Sequence, residues 1–306
     1  MTRIVVTGAA GFIGRALARS LAARGCEVTG LVRAPAPAIP GVRLEAIGTI
    51  GPQSRWHPHL QGAEIVVHLA TRAHGSRRPG GAEAASAGAL VRAAAACGVR
   101  RLVHMSSLRA MGAATVKGAP FRAADPPRPT DPYGCAKLAI ERALAAAPTG
   151  LDLVIVRPPL VYGPAVKGNL QALLRLVAAG VPLPFAGIDN RRSLVFLDNL
   201  VDLTIRACLD PAACGRVLLV RDIDLSTPEL VRALAAGLGR RARLFPLPGS
   251  MLAAAQALPA LGPLVARLTA SLEADDRETR ALLGWVPPFS PAAGLAATAR
   301  AFAARS

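Results

Sequence analysis

Tyr133 and Lys137 stand four residues apart in DPYGCAKLAIERAL, a stretch whose apolar positions (Leu138, Ile140, Leu144) have helical spacing. Residues four apart share one face of a helix, so the phenol and the ammonium can work in one site. A free tyrosine titrates near pH ~10. A cation beside it favours the phenolate and brings the group toward the range useful for general acid–base chemistry. Tyr-x-x-x-Lys is common by chance, but this chain has only two tyrosines and three lysines. The pair follows, by 26 residues, an apolar run that ends in Ser106-Ser107.

A second chemical feature lies at the start of the chain, in RIVVTGAAGFIG. Ile4, Val5 and Val6 read as a buried strand, Thr7 to Gly11 as a tight turn, and Phe12, Ile13, Ala16, Leu17 and Leu21 as the apolar face of a helix. Glycine is needed where backbone turns sharply and must approach a phosphate closely, and a helix N-terminus offers free N–H groups to that phosphate. The spacing of Gly8, Gly11 and Gly14 is GxxGxxG, a variant of the dinucleotide fingerprint. Cofactor binding is the expected role.

These two features must be positioned by a sheet. Further strands are expected at Glu27–Val32, Val42–Ile47, Glu64–Leu69, Arg101–Ser106, Leu151–Val156 and Val217–Val220, with helical patterns between most of them. Such alternation implies an α/β fold with a doubly wound parallel sheet of Rossmann type and a ligand at the carboxyl ends of the strands. Past Arg157, prolines and glycines interrupt regular structure repeatedly, as loops over a strand-end crevice would. Asp198–Leu209 reads as a helix returning to the sheet, and Ser226-Thr227-Pro228-Glu229 as a helix start with a capping box. The expected division is a dinucleotide-binding domain over 1–160, with 194–220 returning to it. A smaller, mostly helical substrate lobe is formed from 161–193 and 221–306.

Composition narrows the function classes. The 306 residues are 52% hydrophobic and 18% charged, which is a globular balance. A net charge of +17 would ordinarily suggest nucleic acid, but all except three of the 36 basic residues are arginines, scattered without interleaved aromatics. No nucleic-acid partner is expected. The five cysteines are widely spaced and contain no CxxC pair, which argues against disulfides and zinc and for the cytoplasm. Leu244 to Ala266 carries no charged residue, yet its four prolines divide it into pieces too short to span a membrane, so no transmembrane segment is expected. His68 and His104 lie in apolar strands and read as satisfied core residues; no metal is expected.

With TGAAGFIG, HLA at 68–70, SSLRAMG at 106–112, YGCAK at 133–137, RPPLVYGP at 157–164, NRRSLVFLDNLVD at 190–202 and LLGW at 282–285, the chain resembles an extended short-chain dehydrogenase/reductase of the NAD-dependent epimerase/dehydratase family. It is most similar to the bacterial nucleotide-sugar 4-reductases and 4-epimerases of polysaccharide assembly. The resemblance implies that Ser107, Tyr133 and Lys137 are catalytic, Tyr133 as acid–base and Lys137 as the ribose-binding lysine that lowers the tyrosine pKa. It implies cofactor contacts at Gly8, Ala10, Gly11, Phe12, Ile13, Gly14, Arg33, Leu69, Ala70, Thr71, Tyr133, Lys137 and Pro158, with Pro159 beside Pro158 at the nicotinamide. Ser107, Arg109, Asn169 and Arg192 would meet the nucleotide-sugar, the arginine fork suiting diphosphate oxygens. A homodimer is implied, through the helices that follow Ala82 and Thr130.

Departures from the family pattern sharpen the reading. Leu108 and Arg109 replace the Asp-Glu pair of the dehydratases and cannot shuttle a proton at sugar carbons, so dehydration is not expected. Arg33 stands where an acidic residue would hold the ribose 2′-hydroxyl of NAD, so NADP(H) is favoured over NAD(H). An asparagine expected near Ala85 is absent, and the segment 74–82 looks shortened. The leading function is reduction of the 4-keto group of a UDP-type nucleotide-sugar. The alternatives are a 4-epimerase with tightly held NAD and, in another class, a cofactor-binding sensor with a degenerate site.

Overall fold

The computed structural model describes residues 1–70, 81–146, 150–258 and 262–305. The chain opens with β1 (Arg3–Thr7), α1 (Phe12–Ala23), β2 (Glu27–Val32) and β3 (Val42–Ala46). It continues through the one-turn α2 (His57–Leu60), β4 (Ile65–His68), α3 (Gly81–Ala96) and β5 (Arg101–Met105). A 3-10 turn at Leu108–Ala110 precedes α4 (Pro132–Ala145) and β6 (Asp152–Arg157). Then come β7 (Leu160–Tyr162), α5 (Asn169–Ala178), β8 (Arg192–Phe196), α6 (Leu197–Leu209), β9 (Val217–Leu219) and β10 (Ile223–Leu225). The last helices are α7 (Thr227–Gly237), α8 (Gly249–Ala257), α9 (Gly262–Thr269), α10 (Arg277–Leu283) and α11 (Pro291–Ala303).

Seven strands form one parallel sheet in the order β3-β2-β1-β4-β5-β6-β9. The strand order reverses between β1 and β4, which opens a crevice at their carboxyl ends. Successive residues point to opposite faces, and the sequence obeys that period. Val6, Val67, Val103 and Val154 pack with Leu17 and Leu21 of α1 and Leu200 and Leu203 of α6. Val5, Val66 and Leu102 pack with Leu90 and Val91 of α3 and Ile140 and Leu144 of α4. Helices therefore cover both faces, and the observed strands match the expected ones to within a residue at most ends.

A second, three-stranded sheet in the order β10-β8-β7 is not foreseen from the sequence. Tyr162, Leu194 and Phe196 from it pack with Leu170 and Leu174 of α5, Leu230 and Leu234 of α7 and Leu295 of α11. Ser226 caps α7 with the expected reciprocal bonds to Glu229. No helix among the described residues is long and apolar enough to cross a membrane.

Candidate active site

The glycine turn closes tightly on itself. Gly8 adopts φ +71°, and its N–H donates to the Leu31 carbonyl at 3.0 Å, while Gly11 N–H donates to the Gly8 carbonyl at 2.9 Å. A Cβ on Gly14 would stand 2.2 Å from the Gly8 oxygen, so the helix start can only lie this close to the turn without a side chain there. Gly11 caps α1 with no side-chain hydrogen bond, and the first turn has no acidic residue, so its N–H groups are available to an anion. A cavity of about 390 Å³ opens beside Ala10, Gly11 and Phe12, lined by Arg15, Arg19, Lys167 and Arg305 and by one carboxylate, Asp198. These residues fit a dinucleotide diphosphate.

Thr7 joins the two strands that flank the crevice. Its hydroxyl accepts from Leu69 N–H and Ala70 N–H, both at 3.1 Å, which leaves its single proton for His68 Nδ1 at 2.9 Å. His68 is thereby fixed as the Nε2–H tautomer. Burial, with the Lys137 charge adding to it, pushes the His68 pKa down to about 3. His104, stacked on it at 5.4 Å, is also held far below the usual range, by burial first and then by Lys137 and His68. His68 is the satisfied core residue the sequence predicts. His104 is likewise fully buried in the core, where the His68 backbone pulls its pKa up against burial.

Local rules place the three expected catalytic residues. Ser107 caps the 3-10 turn, its hydroxyl accepting from Arg109 N–H at 3.2 Å, and Leu108 N–H donates to the Pro158 carbonyl at 2.8 Å. The loop after β5 is thus fastened to the end of β6. Asp131 caps α4 with Pro132 at its first position, accepting from Tyr133 N–H and Gly134 N–H, both at 3.0 Å. Asp131 also pairs with Arg109 at 2.8 Å. The Ser107 side chain acts on the Tyr133 phenol and lowers its pKa against burial. Lys137 Nζ donates to the Met105 carbonyl at 3.0 Å and lies 6.0 Å from the centroid of the Tyr133 ring.

The electrostatics differ from the sequence expectation. Burial drives Tyr133 above its ordinary value, and the opposing influences are the Ser107 hydrogen bond and Arg109, whose guanidinium stands 5.6 Å from the ring centroid. Lys137 is pushed down to about 8 by burial, against the pull of Glu83 and Glu141.

The remaining expected residues are distributed unevenly. Segment 271–275 bridges the loop at 115–121 to the start of β8, with Thr115 N–H donating to the Ser271 carbonyl and Ser193 N–H to the Leu272 carbonyl. This brings Arg192 within electrostatic reach of Arg109, and the Arg192 pKa is lowered, by burial first and then by that neighbour. Asn169 opens α5, is exposed, and has no hydrogen bond into the cluster among the described residues. Arg33 is exposed one residue past β2, and Pro158 is buried. Thr71 and positions 74–80 lie outside the described residues. Sequence reading passes over Thr7, Asp131 and the buried Glu141–Arg157 pair; only Asp131, followed by proline, carries a local signal, that of a helix cap.

The sequence pattern of the NAD dependent epimerase/dehydratase family matches residues 4–219. The chain belongs to this family. It is 37% identical to a UDP-glucose 4-epimerase of Vibrio cholerae over 98% of this chain and 95% of that protein. The structure of MoeE5 in complex with UDP-glucuronic acid and NAD superposes with a TM-score of 0.79 at 25% identity, covering 99% of this chain and 100% of that one. A Thermus thermophilus UDP-glucose 4-epimerase in complex with NAD shares the fold, with a TM-score of 0.81 at 22% identity over the full length of both chains. The protein is an enzyme of the extended short-chain dehydrogenase/reductase class, with the Rossmann-type fold expected from its sequence.

Proposed function

We propose that this enzyme is a nucleotide-sugar 4-epimerase working with NAD on a UDP-hexose or UDP-hexuronic acid. Tyr133 and Lys137 on one face of α4, with Ser107 acting on the Tyr133 phenol, carry the reading. A bound nicotinamide would supply the hydride acceptor and donor. Tyr133 would take the proton of the sugar 4-hydroxyl and return it, and Ser107 would hold the same oxygen. Lys137 would bind the cofactor ribose, and Gly8 to Gly14 its diphosphate. Arg192 and Asn169 in the lobe formed by 161–193 and 221–306 would receive the nucleotide diphosphate. The resemblance to the Vibrio cholerae protein supports a 4-epimerase over the 4-reductase that the sequence puts first, and the UDP-glucuronic acid and NAD bound to MoeE5 support the substrate class and cofactor. A cytoplasmic homodimer belongs to the same reading.

One observation favours a second reading, a 4-keto reductase consuming NADPH. Arg33 is exposed beyond the end of β2, where a cation suits a ribose 2′-phosphate. The deciding experiment incubates the purified enzyme with UDP-glucose or UDP-glucuronic acid and follows C4 inversion by NMR, with and without added NAD. Inversion that Tyr133→Phe lowers by about 10²–10⁴, with NAD binding retained, supports the epimerase. Absence of inversion, with NADPH oxidised on adding a UDP-4-keto sugar, makes it the reductase.

A further inference from the structure

Segment 271–275 is buried throughout, although three of its five residues are polar or charged. It alternates as a strand does. Leu272 and Ala274 join an apolar cluster with Leu108 and Met111, at the 3-10 turn that follows Ser107. Ser271 and Glu273 point the other way, and the Ser271 hydroxyl accepts Arg191 N–H at 3.0 Å. Backbone bonds hold the segment along both edges. Phe121 N–H donates to the Glu273 carbonyl at 2.9 Å on one side. On the other, Leu272 N–H donates to the Arg191 carbonyl at 2.9 Å and Ser193 N–H to the Leu272 carbonyl at 3.0 Å, so Leu272 clasps the backbone of Arg192.

The Glu273 carboxylate joins the same two sides. Its Oε1 accepts Gly118 N–H at 2.7 Å, and its Oε2 pairs with Arg191 Nε at 3.1 Å. Arg191 also reaches Asp224 of β10 at 3.5 Å, and Asp224 accepts the Ser193 hydroxyl at 2.5 Å. A second ionic link between the loop at 115–121 and the residues before β8, Lys117 with Asp189, is 48% and 83% exposed, against 4% for the Glu273 side chain. Exposed pairs contribute little, whereas breaking a buried one strands a charge. Glu273 is therefore the link that matters.

We infer that Glu273 is a positioning residue: it locks the loop at 115–121 to Arg191, and so fixes the start of β8, with Arg192, relative to the turn that carries Ser107. The effect on substrate rests on the reading of Arg192 as a ligand of the nucleotide diphosphate. The lock itself does not.

The test compares wild type with Glu273→Leu, Glu273→Gln, the Glu273→Gln/Arg191→Met double variant and Lys117→Ala. Amide hydrogen exchange of the protein without added ligand reads the lock directly. Glu273→Leu should speed exchange in peptides covering 115–121 and 190–194 and leave β1 and α1 unchanged. Glu273→Gln, which keeps an acceptor for Gly118 N–H, should loosen the loop less, and Lys117→Ala should loosen neither segment. The Kd for UDP, by calorimetry, should rise by about 10–10²-fold in Glu273→Leu, since misplacing a group by about 1 Å costs on that order. The KM for the UDP-sugar should rise with it while kcat holds, as loss of a contact made equally to substrate and transition state requires.

Exchange at 115–121 and 190–194 that stays as in wild type in folded Glu273→Leu, or that rises equally in β1 and α1, overturns the inference. Loosened segments with the UDP affinity of wild type overturn the positioning role. Should Glu273→Leu fail to fold, the double variant decides, because it strands neither charge of the pair: faster exchange in both segments supports the lock, and wild-type exchange refutes it. If both segments loosen and UDP binds none of the proteins, wild type included, the lock stands and the reading of Arg192 fails.

Discussion

The guanidinium of Arg109 rests on the carboxylate that caps the helix carrying Tyr133: Arg109 Nη2 stands 2.8 Å from Asp131 Oδ1, which also accepts the N–H groups of Tyr133 and Gly134. The ion pair and the cap use one oxygen. Ser107 is held from the other side by the backbone of the same arginine. Asp131→Asn keeps a cap and loses the charge, and Asp131→Ala loses both. Asp131→Ala should cost about 0.5–2 kcal/mol of stability and lower kcat well beyond that of Asp131→Asn, because the Tyr133 backbone is no longer fixed. Equal kcat in the two variants, measured with urea unfolding alongside, would show that the cap does not position the phenol.

A deeper anchor lies two turns along the same helix. Glu141 and Arg157 are 4% and 5% exposed, and Ser106 and the Met111 sulfur complete the cluster. Removing one member of a buried ion pair strands the other, at about 3–5 kcal/mol, whereas replacing both by apolar residues of similar size is often near neutral. Arg157→Met should therefore destabilise by about that amount. Glu141→Leu/Arg157→Met should regain most of the loss in chemical denaturation. If the double variant is no more stable than the single one, the pair contributes more than mutual neutralisation.

Local patterns account for what was legible beforehand. The glycine turn, the Tyr133–Lys137 spacing and the capping box before α7 each lie within a few residues, so short-range rules suffice to find them. Strands β7, β8 and β10 escaped. Leu160–Tyr162 lies between Pro158-Pro159 and Gly163-Pro164, Arg192–Phe196 opens on arginine, and neither shows a clean two-residue alternation. The electrostatics of the site were equally hidden. How Arg109 comes to stand 5.6 Å from the Tyr133 ring centroid, and how Glu141 comes to pair with Arg157, depends on how α4, β6 and the 3-10 turn pack, and residue spacing carries no record of that.

Burial raises the Asp222 pKa to about 6, against hydrogen bonds from Phe196 N–H at 2.5 Å and the Tyr162 hydroxyl at 3.4 Å. The folded value exceeds the ordinary 3.8, so the fold binds this proton more tightly than the unfolded chain does. The stabilisation is complete below about pH 4 and is lost as the pH rises through about 6. Asp222→Asn keeps an acceptor for Phe196 N–H and has no charge to bury. It should unfold at higher temperature than wild type near pH 7 and show no advantage near pH 3.5. A difference independent of pH would assign the effect to packing.

Gly11 and Gly14 should fail in different ways. An alanine methyl at position 14 would meet backbone, with the Gly8 oxygen at 2.2 Å and Ala9 Cα at 2.9 Å, and backbone cannot step aside as a side chain can. Gly14→Ala should lower the melting temperature markedly and lose NAD with the fold of the turn. At Gly11 the one near atom is the Gly8 oxygen, at 3.1 Å, and φ of −73° suits alanine. Gly11→Ala should cost less stability than Gly14→Ala, and its methyl would occupy the uncapped start of α1, where a phosphate would approach the N–H groups. Its Kd for NAD, by calorimetry, should rise at least about tenfold, a loss of about 1.4 kcal/mol. Unaltered NAD affinity in a folded Gly11→Ala variant would move the diphosphate away from this turn.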